Sequence, residues 1–138
     1  MKRLLAIAIS VIIFATSYSW ISYVPSSQRE PNVYYFGFIE TFIFVVIYAG
    51  PIYFLVGLPL SIFIDRLIAG VTRKSKWAKY FVGLGFYSLV GVLVGVIFLI
   101  IFIQNTYQLD VIIISAYGFV ASNIYFHLSL LLSTIIKK

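Results

Sequence analysis

Residues 36–68 decide the fold, and their sequence is FGFIETFIFVVIYAGPIYFLVGLPLSIFIDRLI. The stretch combines an acid near its start, Glu40, with two internal prolines and a charged pair near its end. Its apolar run over residues 34–64 has 31 residues. As one straight helix this run would be about 46 Å long, against about 30 Å for the hydrocarbon core of a bilayer. Such a helix must tilt, protrude or break, and the choice determines the depth of Glu40.

A break at residues 57–59, Gly-Leu-Pro, is the predicted solution. A proline inside a helix removes one backbone hydrogen bond and crowds the carbonyl four residues earlier, and a glycine precedes each proline here within two positions. Beyond residue 59, apolar residues recur at helical spacing and polar residues share the other side. We therefore predict a membrane span over residues 36–57 and a short amphipathic helix over residues 59–69 at the inner surface. This division places Glu40 within the membrane.

The composition predicts a single membrane domain. The 138 residues are 62% hydrophobic and 10% charged, with a mean hydropathy of +1.07, whereas about a quarter of the residues of a soluble domain are charged. The net charge of +6 does not indicate nucleic acid, because nearly all basic residues flank apolar runs instead of gathering on a polar face. The absence of cysteine excludes disulfides and thiolate chemistry.

Three further apolar runs predict an all-α fold with four transmembrane helices. They cover residues 4–24, 80–103 and 111–136, and each is long enough to cross a bilayer. The first run also has the parts of a cleavable signal peptide, and cleavage would leave three spans. Because the run continues to Trp20 and Tyr23, which are typical of an interfacial anchor, we interpret it as a retained helix.

Small residues predict where the third and fourth spans pack closely. Gly91 and Gly95 form a small-xxx-small pair in the third span, and Gly118 and Ser122 belong to a stripe of small residues in the fourth. Small side chains allow two helix backbones to approach, and such packing drives helix association in lipid. Since small-residue faces exceed what one bundle of four helices needs, we expect self-association or a membrane protein partner.

Three polar side chains within the apolar runs are candidate binding or transport residues. Glu40 is the sharpest, because a carboxylate in the hydrocarbon region is costly and usually faces a cavity, a partner or a proton path. The competing interpretation is an interfacial acid near Tyr34 and Tyr35. Asn123 and His127, four residues apart in the fourth span, suit either a polar pathway or hydrogen bonds between helices. The depths of Glu40 and His127 differ by about 16 Å, so a direct pair is not expected.

The sequence contains no enzymatic motif. Its four acids are scattered, its single histidine excludes a histidine pair for a metal, and clustered ionisable groups are missing. We therefore predict a non-enzymatic membrane protein, without metal or cofactor, that acts by interaction as an accessory, regulatory or immunity-type subunit. The alternative is a small homo-oligomeric transporter or channel that uses an intramembrane Glu40. The basic loop at residues 71–79 also predicts contact with anionic lipid headgroups.

Residues 53–65, YFLVGLPLSIFID, resemble part of a family of small four-pass membrane proteins of Gram-positive spore-forming bacteria. In that family a Gly-hydrophobic-Pro-hydrophobic-Ser stretch similarly precedes an acid at the inner end of the second span, where this chain has Asp65. The resemblance covers mainly this stretch. It implies four spans and a location in a bacterial plasma membrane, and it implies no activity because the family has none assigned.

The basic residues predict the orientation of the chain. One side of the predicted topology carries nine of the ten basic residues, and the other side carries only Arg29. The nine are Lys2, Arg3, Arg66, Arg73, Lys74, Lys76, Lys79, Lys137 and Lys138. By the positive-inside rule, both termini and the middle loop are cytoplasmic.

Single cysteines test this orientation directly, because the chain has none of its own. We expect a membrane-impermeant maleimide to label Ser27→Cys and Thr106→Cys on intact cells. The Ser75→Cys variant should react only after the membrane is permeabilised. Labelling of position 75 from outside intact cells would reverse the assignment.

Overall fold

A computed structural model describes residues 2–71, 75–102 and 108–136, and within these ranges the chain is helical with no strand. Four of its helical segments are long and apolar enough to cross a membrane. The all-α class is therefore confirmed. The elements are α1 (Lys2–Ser22), a short 3₁₀ turn (Ser26–Gln28), α2 (Phe38–Ile52), a π-helical segment (Tyr53–Gly57), α3 (Leu58–Val71), α4 (Lys76–Phe102) and α5 (Gln108–Ile135).

Helices α1, α4 and α5 correspond to the spans predicted at residues 4–24, 80–103 and 111–136. Each helix begins two to four residues earlier than predicted, at Lys2, Lys76 and Gln108. Hydropathy marks the part of a helix that suits hydrocarbon, whereas backbone hydrogen bonding continues into the polar residues that precede it.

The separate amphipathic helix predicted at residues 59–69 is not confirmed. The chain stays helical from α2 through the π-helical segment into α3, a run of 33 residues over Phe38–Gly70. At about 1.5 Å per residue this run is about 50 Å long, so it exceeds a bilayer core of about 30 Å. The structure therefore has no break here. It has one continuous helix that is longer than the hydrocarbon core of a bilayer.

The π-helical segment, residues 53–57, ends where the predicted break at residues 57–59 begins. Its widened turn is closed by the backbone N–H of Leu58, which donates to the carbonyl of Tyr53, five residues earlier. Pro59 follows directly and has no N–H with which to continue an α-helical ladder. A π-helical turn changes the hydrogen-bond spacing locally while the chain remains helical. The predicted break is therefore not confirmed, and an irregular helical turn precedes Pro59 instead.

Helix α1 packs against α2, α3 and α5. It supplies six buried residues, namely Ala6, Ile7, Ser10, Val11, Ala15 and Ser19. The two serines satisfy their hydroxyls within the helix, since Ser10 Oγ donates to the Ala6 carbonyl at 2.6 Å and Ser19 Oγ to the Ala15 carbonyl at 2.7 Å.

The outside of the bundle is strongly apolar. Large side chains such as Trp20, Leu55 and Ile39 are at least 70% exposed. Small serines, by contrast, are among the most buried residues. An apolar exterior around small buried residues is typical of helices surrounded by lipid, where close packing replaces the hydrophobic effect as the source of association.

The closest helix contact joins α4 to α5 through the small residues singled out above. A β-carbon at Gly91 would overlap the Ser122 hydroxyl and the Gly118 carbonyl, and one at Gly95 would lie 2.7 Å from the Ile114 carbonyl oxygen. The two glycines of α4 therefore allow its backbone to touch that of α5. This seam, formed by Gly91, Gly95, Gly118 and Ser122, is used within one chain.

The seam predicts a large difference between two alanine substitutions in α4. Gly91→Ala places a methyl group against the α5 backbone, whereas Gly85→Ala places the same group in open space. We expect Gly91→Ala to have a free energy of unfolding about 1–3 kcal/mol lower than that of Gly85→Ala, because overpacking forces the helices apart. Unfolding by sodium dodecyl sulfate in mixed micelles measures the difference. Equal stability of the two variants would contradict the close crossing.

Candidate functional site

Glu40 lies in the first turn of α2 and caps that helix. One carboxylate oxygen accepts a hydrogen bond from the Gly37 backbone N–H at 2.8 Å, and the Tyr34 hydroxyl lies 3.2 Å from each oxygen. The side chain is exposed. A carboxylate at a helix N-terminus is stabilised by unpaired backbone N–H groups and by the helix dipole. The geometry therefore gives Glu40 a local structural role at the start of α2.

Asn123 connects α5 to α4. Its Nδ2 donates to Ser88 Oγ at 3.0 Å and also approaches the Phe119 carbonyl of its own helix at 2.8 Å. The side chain is partly buried between the two helices. Such a pair stabilises a helix contact in lipid by about 0.6 kcal/mol on average.

His127 forms a second polar link between the same two helices. Its Nδ1 is 2.8 Å from the Asn123 carbonyl and its Nε2 is 3.0 Å from the Tyr80 hydroxyl. With the hydrogen placed on Nδ1, that nitrogen donates to the carbonyl and Nε2 accepts from Tyr80, so the neutral ring is satisfied at both positions. Asn123 and His127 are thus neighbours, and their contacts are separate from those of Glu40.

An ion pair that sequence reasoning missed ties α1 to α3. Arg3 lies 2.9 Å from the Asp65 carboxylate, and the Tyr87 hydroxyl of α4 donates to the same carboxylate at 3.2 Å. Both charged side chains are more than 40% exposed, so the pair itself stabilises the fold by about 0–1 kcal/mol. Its main effect is to gather three helices at one end of the bundle, which we call the Asp65 end. The opposite end, where α2 begins, is the Glu40 end.

One sequence signal indicates that Asp65 pairs with a basic residue, although it does not identify Arg3 as the partner. Asp65 is the only acid on the side of the predicted topology that carries nine basic residues. An isolated acid among many cations at one boundary is expected to pair with one of them. Which cation it selects depends on helix packing, because Arg3 and Asp65 are 62 residues apart in the chain.

A crevice of about 610 Å³ lies between α1, the long α2–α3 helix and the α4–α5 pair. It arises because α2 packs mainly on α1, whereas α3 packs on α4. The crevice is half-open, since Phe44 is 48% exposed and Tyr48 is 68% exposed along its rim. Its volume is within the range of about 300–1,000 Å³ that ligand sites occupy.

The walls of the crevice are apolar. No charged side chain occurs among the described residues that line it, and Glu40, Asn123 and His127 are not among them. Tyr53, from the π-helical segment, crosses to α5 and donates to the Ala121 carbonyl at 2.9 Å. Sequence reasoning did not predict this crevice, because no residue pattern shows how far two helices stand apart.

Neither a metal site nor a similar known protein identifies a function. Within residues 2–71, 75–102 and 108–136, no group of three or more histidine, cysteine, aspartate or glutamate side chains is placed to hold a metal ion. No protein-family model, curated protein or solved structure matches the chain. The resemblance to small four-pass proteins of spore-forming bacteria therefore stays an expectation.

The pair formed by Tyr34 and Glu40 predicts a titration change. The hydrogen bond from Tyr34 to Glu40 and the negative charge of Glu40 raise the pKa of the Tyr34 phenol above its ordinary value of 10.0. Both effects favour the protonated hydroxyl. We expect Glu40→Gln to lower the Tyr34 pKa towards that value. NMR of ring-labelled tyrosine measures it, with Tyr34→Phe identifying the resonance among eleven tyrosines. The control Glu30→Gln removes an equal charge from the preceding loop, and an equal shift in that variant would contradict the direct contact.

Proposed function

We propose that the chain is a non-enzymatic, multi-pass membrane protein that acts by interaction, through an apolar molecule or segment bound in the crevice. The observation that carries this proposal is the crevice itself. It is of ligand size, it is half-open, and its described walls carry no charge. Apolar pockets with few polar groups are the usual sites of binding, whereas catalysis needs convergent ionisable groups.

A transport function that depends on Glu40 has less support. Glu40 is exposed and engaged by Gly37 and Tyr34 at the start of α2. Asn123 and His127 are engaged by Ser88 and Tyr80 at the α4–α5 contact. A proton or ion pathway needs polar groups that face a shared cavity. The three side chains instead have separate local partners outside the described lining of the crevice.

The proposed location is a bacterial plasma membrane with both termini in the cytoplasm. In support, Lys2 Nζ lies 3.5 Å from the Ile136 carbonyl, so the two described ends of the chain meet at the Asp65 end. Of the six basic residues that the structure describes, all except Arg29 belong to segments at this end, as the positive-inside rule requires of a cytoplasmic face. Lys76, Trp77 and Lys79 are exposed there and suit contact with anionic headgroups, whereas Arg73 and Lys74 lie outside the described residues.

We still propose a homo-oligomer or a membrane protein partner, but the small-residue faces no longer support this proposal. The small residues of α4 and α5 face each other within one chain, so they do not require a second copy. The apolar outer faces, including those of Leu55 and Ile39, are available to lipid or to another helix. The crevice is the feature that distinguishes one part of this surface from the rest.

Two measurements test the proposed function. A photo-crosslinking amino acid at Val45, which lines the crevice, should give products in native membranes, and the same probe at Ile47, on the outer face of α2, should give few. Proteoliposomes under a pH gradient should show no flux beyond that of empty vesicles, for either the wild type or Glu40→Gln. Proton-coupled flux that disappears in Glu40→Gln would replace this proposal with transport.

A further inference from the structure

We infer that α2 is a hinged lid on the crevice, which pivots at Gly50 and Pro51 and tilts towards α4 while the rest of the long helix stays in place. This inference deepens the proposed function and rests on it, because a lid controls access to the site of interaction. The long helix has an interrupted backbone at the pivot, unequal anchoring on its two sides and free space beside its first half.

The pivot is a weak point in the backbone of the long helix. Pro51 has no N–H, so it cannot donate to the Ile47 carbonyl, and its ring crowds that carbonyl. A β-carbon at Gly50 would meet no atom of the described residues within 4 Å, so packing does not require a glycine there. The widened π-helical turn begins two residues after Pro51, at Tyr53. Prolines and π-helical turns are the places where helices bend sharply.

The half of the helix that follows the pivot is anchored. Tyr53 is 8% exposed, and its hydroxyl donates to the Ala121 carbonyl of α5 at 2.9 Å. In α3, Ser61 and Ile64 are each 1% exposed. Asp65 accepts hydrogen bonds from side chains of both α1 and α4. These contacts tie this half of the helix to the three other spans.

The half that precedes the pivot is held less firmly. All 15 residues of α2 are described, and none of them is buried. The helix packs on α1, whereas the crevice separates it from the α4–α5 pair. At its start, Arg29 lies 5.9 Å from the ring centroids of both Tyr23 and Tyr35, so the loop before α2 stays near the end of α1. This connection lets α2 tilt against α1 without detaching from it.

A small bend at the pivot moves the open end of α2 by several ångströms. Ile39 lies twelve residues before Pro51, which is about 18 Å along a helix at 1.5 Å per residue. A bend of about 20° displaces it by about 6 Å. Phe44 and Tyr48 on the exposed rim then approach Val94 on the α4 wall.

The open and closed positions of α2 differ little in free energy. In water the hydrophobic effect would close an apolar gap. In a bilayer hydrocarbon fills the gap, so closure exchanges one apolar contact for another. Both positions are therefore populated in the membrane, and a small change at the pivot shifts the balance between them.

Spin labels on pairs of introduced cysteines test the hinge, because the chain has no cysteine of its own. One pair, Ile39→Cys with Ile97→Cys, joins α2 to α4, and the other, Phe63→Cys with Leu89→Cys, joins α3 to α4. All four positions are more than half exposed. Phe63 lies twelve residues after Pro51, so the two pairs probe equal distances from the pivot. Double electron–electron resonance on the full chain in liposomes measures both.

We expect two distance components about 6 Å apart for the α2–α4 pair, and a single component for the α3–α4 pair. Pro51→Ala restores a backbone donor to the Ile47 carbonyl, so one of the two components should be lost. Pro59→Ala, the matched control, removes a proline on the anchored side of Tyr53 and should keep both. An unchanged α3–α4 distance establishes that each variant is folded.

Three results would overturn the hinge. They are a single component for the α2–α4 pair in the wild type, two components that persist in Pro51→Ala, and loss of a component in Pro59→Ala. Two components in the α3–α4 pair as well would show that the whole bundle moves, which would also contradict a lid on an anchored half.

Crosslinking from Val45 separates failure of the hinge from failure of the proposed function. A single α2–α4 distance together with crosslinks from Val45 would remove the hinge and leave an interaction function in place. Two distances without such crosslinks would support the movement of the lid and remove the crevice as the site of interaction.

Discussion

The contact between the backbones of α4 and α5 is the constraint on which the rest of the bundle depends. In lipid, helices gain little from burying apolar surface, so association depends on how closely their backbones approach. Gly91 and Gly118 remove the side chains that would keep the two helices apart. The close approach in turn brings Ser88 to Asn123 and Tyr80 to His127 within hydrogen-bonding distance. Polar groups that sequence alone left open to function are thereby used to join helices.

A second constraint shapes the crevice. Arg3 of α1 meets Asp65 of α3 and, through that acid, Tyr87 of α4. These contacts close the Asp65 end of the bundle. At the other end α2 follows α1, and a gap is left between α2 and the α4–α5 pair. The π-helical segment lies between the two halves of the long helix, and it places Tyr53 where its hydroxyl reaches α5. Irregular turns of this kind often occur at functional sites.

The depth of Glu40 in the membrane could not be predicted from hydropathy alone. Its depth follows from the division of the second apolar run, and a break at residues 57–59 placed it within the membrane. The continuous helix removes that premise, and the carboxylate instead accepts a hydrogen bond at the start of α2. The local signals were present in the sequence, since Tyr34 and Gly37 precede Glu40 closely. Hydropathy assigns a value to each residue separately, so it does not show which backbone groups a carboxylate can contact.

The sequence by itself determined that the chain is helical, where its membrane-competent helices lie and which residues are small enough for close packing. These properties follow from the length of apolar runs and from side-chain size, which are local. Tertiary structure alone decided that Gly91 meets Gly118, that Asp65 selects Arg3 and that a crevice separates α2 from α4. Each of these depends on the distance and rotation between helices far apart in the chain. No local pattern encodes that geometry, because many arrangements of four apolar helices satisfy the same backbone hydrogen bonds.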